Sequence, residues 1–195
     1  MNCPLSPSAK VTELSPVFCS AAEVIGMNRV LIIGNAGSGK TTFARQLAAK
    51  TGLPLVHLDR IYWCRDWEHL SRDAFDMALQ VELAKTHWII DGNFNRTIPH
   101  RLRYCDTVFF FDMPTITCLA GVTKRIVTNY GRCREDMGGS CIERFDSQKI
   151  PLYCNVLTFN KQHRNDYYAL LSKAEHINVI VFRNRRKVRA FLKTL

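Results

Sequence analysis

From residue 29 onward, apolar residues follow two alternating patterns. Short apolar runs at residues 30–33, 88–90, 108–111 and 179–182, and the mainly apolar 55–58, read as strands, since strands buried on both faces lack a polar side. Between them, apolar residues recur every third or fourth position, which is helical spacing. Phe43, Leu47 and Ala48 mark one face of a helix over residues 39–50. Phe75, Leu79 and Leu83 mark a second, with Ser71 as its N-cap. A third follows Pro114 with Leu119, Val122, Ile126 and Tyr130 on one side, and Gly131 is its stop. A longer one over residues 151–173 carries Leu152, Val156, Phe159, Tyr167 and Leu170. A basic helix ends the chain. Strands alternating with helices predict an α/β fold, a five-stranded parallel sheet covered on both faces.

Residues 1–26 break this rhythm. Pro4, Pro7 and Pro16 stand among scattered serines without a period, so the segment reads as a flexible extension ahead of one domain over residues 27–195. One lysine, no arginine, and the acids Glu13 and Glu23 are the wrong composition for a transit peptide. With 195 residues and 47% hydrophobic content, the chain holds enough apolar material for one core. Its apolar runs are far shorter than the roughly 18 to 20 residues that span a bilayer. None of the eight cysteines forms a C-x-x-C pair, so they read as reduced thiols of a cytoplasmic protein. Cys133 and Cys141, bracketing the most glycine-rich loop, are either incidental thiols or a metal-binding or oxidant-sensing pair. A tetrahedral zinc site needs four closely spaced ligands, which favours the first role.

The strongest chemical signal is Gly34-Asn35-Ala36-Gly37-Ser38-Gly39-Lys40-Thr41, followed by Thr42, between a predicted strand and a predicted helix. Its glycines let main-chain N–H groups and a helix N-terminus surround a β-phosphate. Lys40 reaches the β and γ oxygens, and the Thr41 hydroxyl is a Mg²⁺ ligand. ATP and Mg²⁺ are the ligands that this loop predicts. The carboxylates at the carboxyl ends of strands come next, because open α/β sheets bind ligands there. Asp59 is a candidate to take a proton from, or orient, an acceptor hydroxyl; a loop or helix-capping role competes. Asp91 is a candidate for the Mg²⁺ shell or for acceptor contact, and Asp112 is assigned a structural turn role.

Phosphoryl transfer needs positive charge on the moving group, which singles out Arg125, Arg132 and Arg134 in a segment that Gly131, Gly138 and Gly139 make a lid, residues 125–145. Solvated surface arginines are the competing reading. Arg96, Arg101 and Arg103 are further candidates for an acceptor anion, Arg103 being the most suited to a helix surface. The net charge of +10 is met by small phosphorylated ligands as well as by nucleic acid. Arg183, Arg185, Arg186, Lys187 and Arg189 form its second cluster. Tyr62, Trp63 and Trp67 follow Asp59 and either stack an acceptor base or pack internally.

Together, Gly34 to Thr41, His57-Leu58-Asp59, Trp88-Ile89-Ile90-Asp91-Gly92-Asn93, Arg101-Leu102 before Asp106, and Gly131-x-Cys133-Arg134-x-Asp136-Met137 resemble the adenylate-kinase-like P-loop kinases. The resemblance is closer to the bacterial group called DNA topology modulation protein FlaR-related, from about Met27 to Leu195. It implies a three-layer P-loop NTPase fold with strand order 2-3-1-4-5, a short lid after the fourth strand, and an acceptor pocket around Asp59 and Asp91. Adenylate kinases follow the third strand with Asp-Gly-Phe/Tyr-Pro-Arg. Here Asn93-Phe94-Asn95-Arg96 follows Asp91-Gly92, a departure that argues against AMP as acceptor. The expected function is transfer of the γ-phosphate of ATP to a small molecule, whether nucleotide, nucleoside or polyol. The alternative is a nucleotide-dependent DNA-associated protein, whose DNA binding would fall steeply with salt. A GTPase is rejected, because Asn160-Lys161-Gln162-His163 lacks the guanine-reading aspartate.

Overall fold

The computed structural model describes residues 26–64, 67–138, 141–145 and 149–195. The predicted extension, apart from Gly26, and the lid's Gly139 lie outside the described residues. Five parallel strands form one sheet: β1 (Arg29–Gly34), β2 (Leu55–His57), β3 (Trp88–Asp91), β4 (Thr107–Phe111) and β5 (Asn178–Phe182). Their order is β2-β3-β1-β4-β5, as the resemblance implied. Crossovers are supplied by α1 (Lys40–Thr51), α2 (Leu58–Tyr62), α3 (Arg72–Leu83), α4 (Ile98–Arg101), α5 (Thr115–Thr128) and α6 (Ile150–Ser172), and α7 (Arg185–Thr194) closes the chain.

The strands show no polar alternation because both faces of the sheet are covered. Leu31 and Ile33 of β1 point into one core with Phe75, Leu79, Ile90, Phe110 and Tyr167. Val30 and Ile32 point into the other with Phe43, Leu47, Phe109, Val122 and Phe191. The start of β1 is fixed by Asp106, whose Oδ2 accepts from the N–H groups of Asn28 at 3.0 Å and Arg29 at 2.8 Å.

Three local expectations change. The second strand stops at His57, and Leu58 instead opens the short α2 that carries Asp59. The predicted apolar face of α5 overreaches: the helix ends at Thr128, and Tyr130 is 62% exposed beyond it. On α6, Leu171 is the buried residue and Leu170 only packs partly against the core.

Candidate active site

The carboxyl ends of the strands open into a cleft of about 1860 Å³ lined by the P-loop, Asp59, Asp91, Arg125, Arg134 and part of α7. Its floor is set by the P-loop's contact with α5. Gly37 has φ +74, and a Cβ there would sit 2.1 Å from the Cys118 carbonyl oxygen. A Cβ on Gly121 would sit 2.0 Å from the Gly37 carbonyl oxygen. Neither position has room for a side chain. Asn35 anchors the loop from the other side, its side-chain amide donating to the Val156 carbonyl at 2.9 Å.

Within this frame the polar groups are arranged around a gap. Lys40 is buried and donates to the Asn35 carbonyl at 2.7 Å. Burial lowers its pKa below the usual lysine value, and the negative charge of Asp91 opposes that shift. Thr41 donates its hydroxyl to Asp91 Oδ2 at 2.7 Å, and His57 Nδ1 lies 3.1 Å from the same oxygen. Three buried polar atoms around the loop have no hydrogen-bond partner: Ser38 Oγ, Asp91 Oδ1 and Arg125 Nε. A buried carboxylate oxygen without a donor suits a cation. A buried guanidinium nitrogen and a hydroxyl without acceptors suit an anion. Mg²⁺ is commonly held by one or two carboxylates together with substrate phosphates, so Asp91 and Thr41 fit it without a larger ligand set. Among the described residues no group of three or more His, Cys, Asp or Glu side chains gathers for another metal.

Asp59 lies half-buried on α2, at the cleft wall. Burial first, and the charge of Asp91 second, raise its pKa above the usual carboxylate value, while Arg134 and Lys40 pull it back. Burial lowers the pKa of Arg125, and repulsion from Arg134 adds to the shift. Two arginines that repel each other beside a phosphate loop again suit an anion. Arg134 is buried in the segment after α5, 3.4 Å from Asp136 and 3.5 Å from Glu143. Glu143 in turn lies 2.9 Å from the ammonium of Lys149, which sits 4.0 Å over the Trp67 ring.

The remaining sequence candidates are placed as follows. Gly34 lies beneath the cleft, its N–H donating to Asn93 Oδ1 at 2.9 Å, while Asn35, Ala36, Gly39 and Thr42 line the cleft. Arg132 is exposed and outside the lining. Arg96 makes two 2.7 Å bonds to Asp76, and Arg103 is exposed. Arg101 is fully buried and donates to the carbonyls of Gly92, Asn93 and Phe94, so it braces the loop after β3. Asp112 is structural, bonded by Arg164 at 2.8 Å and by Tyr168. Cys141 is buried and bonds the Cys64 carbonyl, while Cys133 is exposed.

Sequence reasoning gave no role to His57, Glu143, Lys149 or Gly121. His57 carried the same strand-end signal as Asp91. Glu143 lies in a segment without periodicity, where nothing marks a residue for burial.

The fold has a counterpart in a solved kinase. Shikimate kinase from Bacteroides thetaiotaomicron superposes with a TM-score of 0.50 at 14% identity, over 86% of this chain and 95% of that one. The chain shares that fold. Deoxyadenosine kinase from M. mycoides covers 84% of this chain and 94% of its own at 15% identity, with a TM-score of 0.48. A family model for isopentenyl transferase matches residues 27–99, from β1 through the loop after β3. No curated protein matches the chain. No helix among the described residues is long and apolar enough to cross a membrane.

Proposed function

We propose that the protein is a phosphotransferase that takes the γ-phosphate of ATP to a hydroxyl on a small molecule. The carrying observation is the pairing of opposite unmet demands in one cleft: Asp91 Oδ1 for a cation, Ser38 Oγ and Arg125 Nε for an anion. A magnesium polyphosphate answers both. The main-chain amides from Asn35 to Thr42 and the ammonium of Lys40 hold the phosphates, and Asp91 with Thr41 holds Mg²⁺. When bound, Mg²⁺ neutralises charge on the phosphate oxygens. Arg125 and Arg134 stabilise negative charge on the moving phosphoryl group, Arg134 exchanging a carboxylate partner for it. Asp59 orients the acceptor hydroxyl and takes its proton, a role suited to a carboxyl group whose pKa is raised. The resemblance to the adenylate-kinase-like P-loop kinases supports the same reading.

The test is thermal. With ATP about 100-fold above its Kd, linkage adds ~2.7 kcal/mol, or roughly 5 to 10 °C in Tm for a domain of this size. Lys40→Ala is expected to abolish that shift while leaving the ligand-free Tm near its original value. An ATP shift that survives in Lys40→Ala removes the phosphate assignment.

The family match over residues 27–99 favours a second reading, in which the same loop grips the diphosphate of an isoprenoid donor. The two separate by product. The phosphotransferase releases ADP from ATP when given its acceptor, whereas in the second reading an acceptor nucleophile bonds to the isoprenoid carbon as pyrophosphate leaves, and no ADP forms.

A further inference from the structure

On the Asp59 side, the cleft is walled by aromatic rings. Tyr62 ends α2 three residues after Asp59, Trp63 caps that helix in an extended conformation, and all three line the cleft. The Tyr62 ring lies 5.0 Å from those of Trp63 and Phe94. Phe94 is stacked at 4.7 Å on Phe75 of α3, which ties the wall to the core.

The backbone supports a role beyond packing. Among the described residues, two non-glycine residues occupy the left-handed region, Trp67 at φ 64 and Phe94 at φ 37. Both are aromatic and both line this cleft. Bulky side chains rarely take that conformation, and such strain persists where surrounding structure enforces it. Arg101 supplies the enforcement at Phe94 through its bonds to the Gly92, Asn93 and Phe94 carbonyls.

Charge then selects among aromatic acceptors. Arg96 is committed to Asp76, Arg101 to three carbonyls, and Lys149 to Glu143 and the Trp67 face. Arg134 already serves the transferring group. Asp59, Asp136 and Glu143 line the cleft here. On this side a phosphate on the acceptor would meet the three carboxylates, with Arg96, Arg101 and Lys149 held by the partners just named. A polyol would leave the ring faces without a matching surface.

We propose that the acceptor is a neutral nucleoside, its base against the wall of Tyr62, Trp63, Trp67 and Phe94 and a sugar hydroxyl at Asp59. This rests on the phosphotransferase reading for the reaction, though not for the binding. In the step, the sugar oxygen forms a bond to the γ-phosphorus of ATP while the bond from that phosphorus to the bridging oxygen breaks. The electron pair leaves with ADP, and the hydroxyl proton passes to the Asp59 carboxylate.

The test titrates the full chain, without ATP, with ribo- and deoxyribonucleosides, their 5′-monophosphates, glycerol and ribitol, read by calorimetry and tryptophan emission. At least one nucleoside should bind roughly tenfold or more tighter than its own monophosphate, because that phosphate is desolvated without a new partner. Trp63→Ala should weaken nucleoside binding roughly tenfold or more while Trp63→Phe restores most of it, as expected for ring stacking. A monophosphate or polyol that binds tighter than every nucleoside overturns the assignment, and so does the lack of any nucleoside binding. Unchanged affinity in Trp63→Ala overturns it too. A nucleoside that binds without ever yielding ADP from ATP leaves the acceptor class standing and sinks the phosphotransferase reading. ADP release with a polyol alone does the reverse.

Discussion

Asp59 illustrates how a side chain proposed for the chemistry can be costly to the fold. Its pKa is raised by burial and by Asp91, so the stability linked to its protonated form is fully present below the unfolded value of about 3.9. That stability is lost as pH rises through the folded value. Asp59→Asn is therefore expected to raise the ligand-free Tm at neutral pH, with the gain vanishing near pH 4. Calorimetry across that range checks it, and a gain independent of pH would contradict the cause. The same variant should lose roughly 100-fold or more in turnover with ATP affinity preserved, if the carboxylate acts as base. Lys40 shows the opposite sign. Its lowered pKa means that the linked stability is present above the ordinary lysine value and lost as pH falls through the folded value.

At the scale of elements, the P-loop and α5 act as one piece because Gly37 and Gly121 meet backbone to backbone. Gly121→Ala places a methyl group 2.0 Å from a carbonyl oxygen and should cost ~1–3 kcal/mol of stability. It should also weaken ATP-dependent stabilisation, since Arg125 lies one turn further along the same helix. Denaturant unfolding with and without ATP measures both. Arg101 plays the matching role after β3. Arg101→Leu would leave three carbonyls without their donor and is expected to destabilise by roughly 3–5 kcal/mol, with hydrogen exchange rising first at residues 92–95. The P-loop was legible in the sequence because its glycines, lysine and threonine form one contiguous string. Arg101 was legible as a candidate but not in its role. A bare arginine six residues before a strand looks alike whether it points at a ligand or into its own backbone, and burial by the chain's return decides which. Trp67 was named as an aromatic candidate, but its left-handed backbone and that of Phe94 were hidden for a related reason: no residue-type signal announces a left-handed aromatic. Tyr130 failed differently, since helical spacing continues on paper past the point where Thr128 ends α5.

For the whole molecule, continuous apolar runs separated by helices were enough to predict a parallel sheet buried on both sides, and five strands in parallel register are what the structure contains. The arrangement of the lid was beyond reach, because the burial of Glu143 between Arg134 and Lys149 depends on contacts that no local period encodes. Neighbouring strands also line up the chemistry. Asp91 stands level with Ile32 on one side and with His57 on the other. The sheet thus works as a ruler, with the Asp91 carboxylate at a fixed graduation. Losing or gaining one residue between Trp88 and Ile90 would move that mark by one and turn the acid into the opposite layer of oil. Length within this short stretch should therefore tolerate no drift, even in variants whose loops grow or shrink freely.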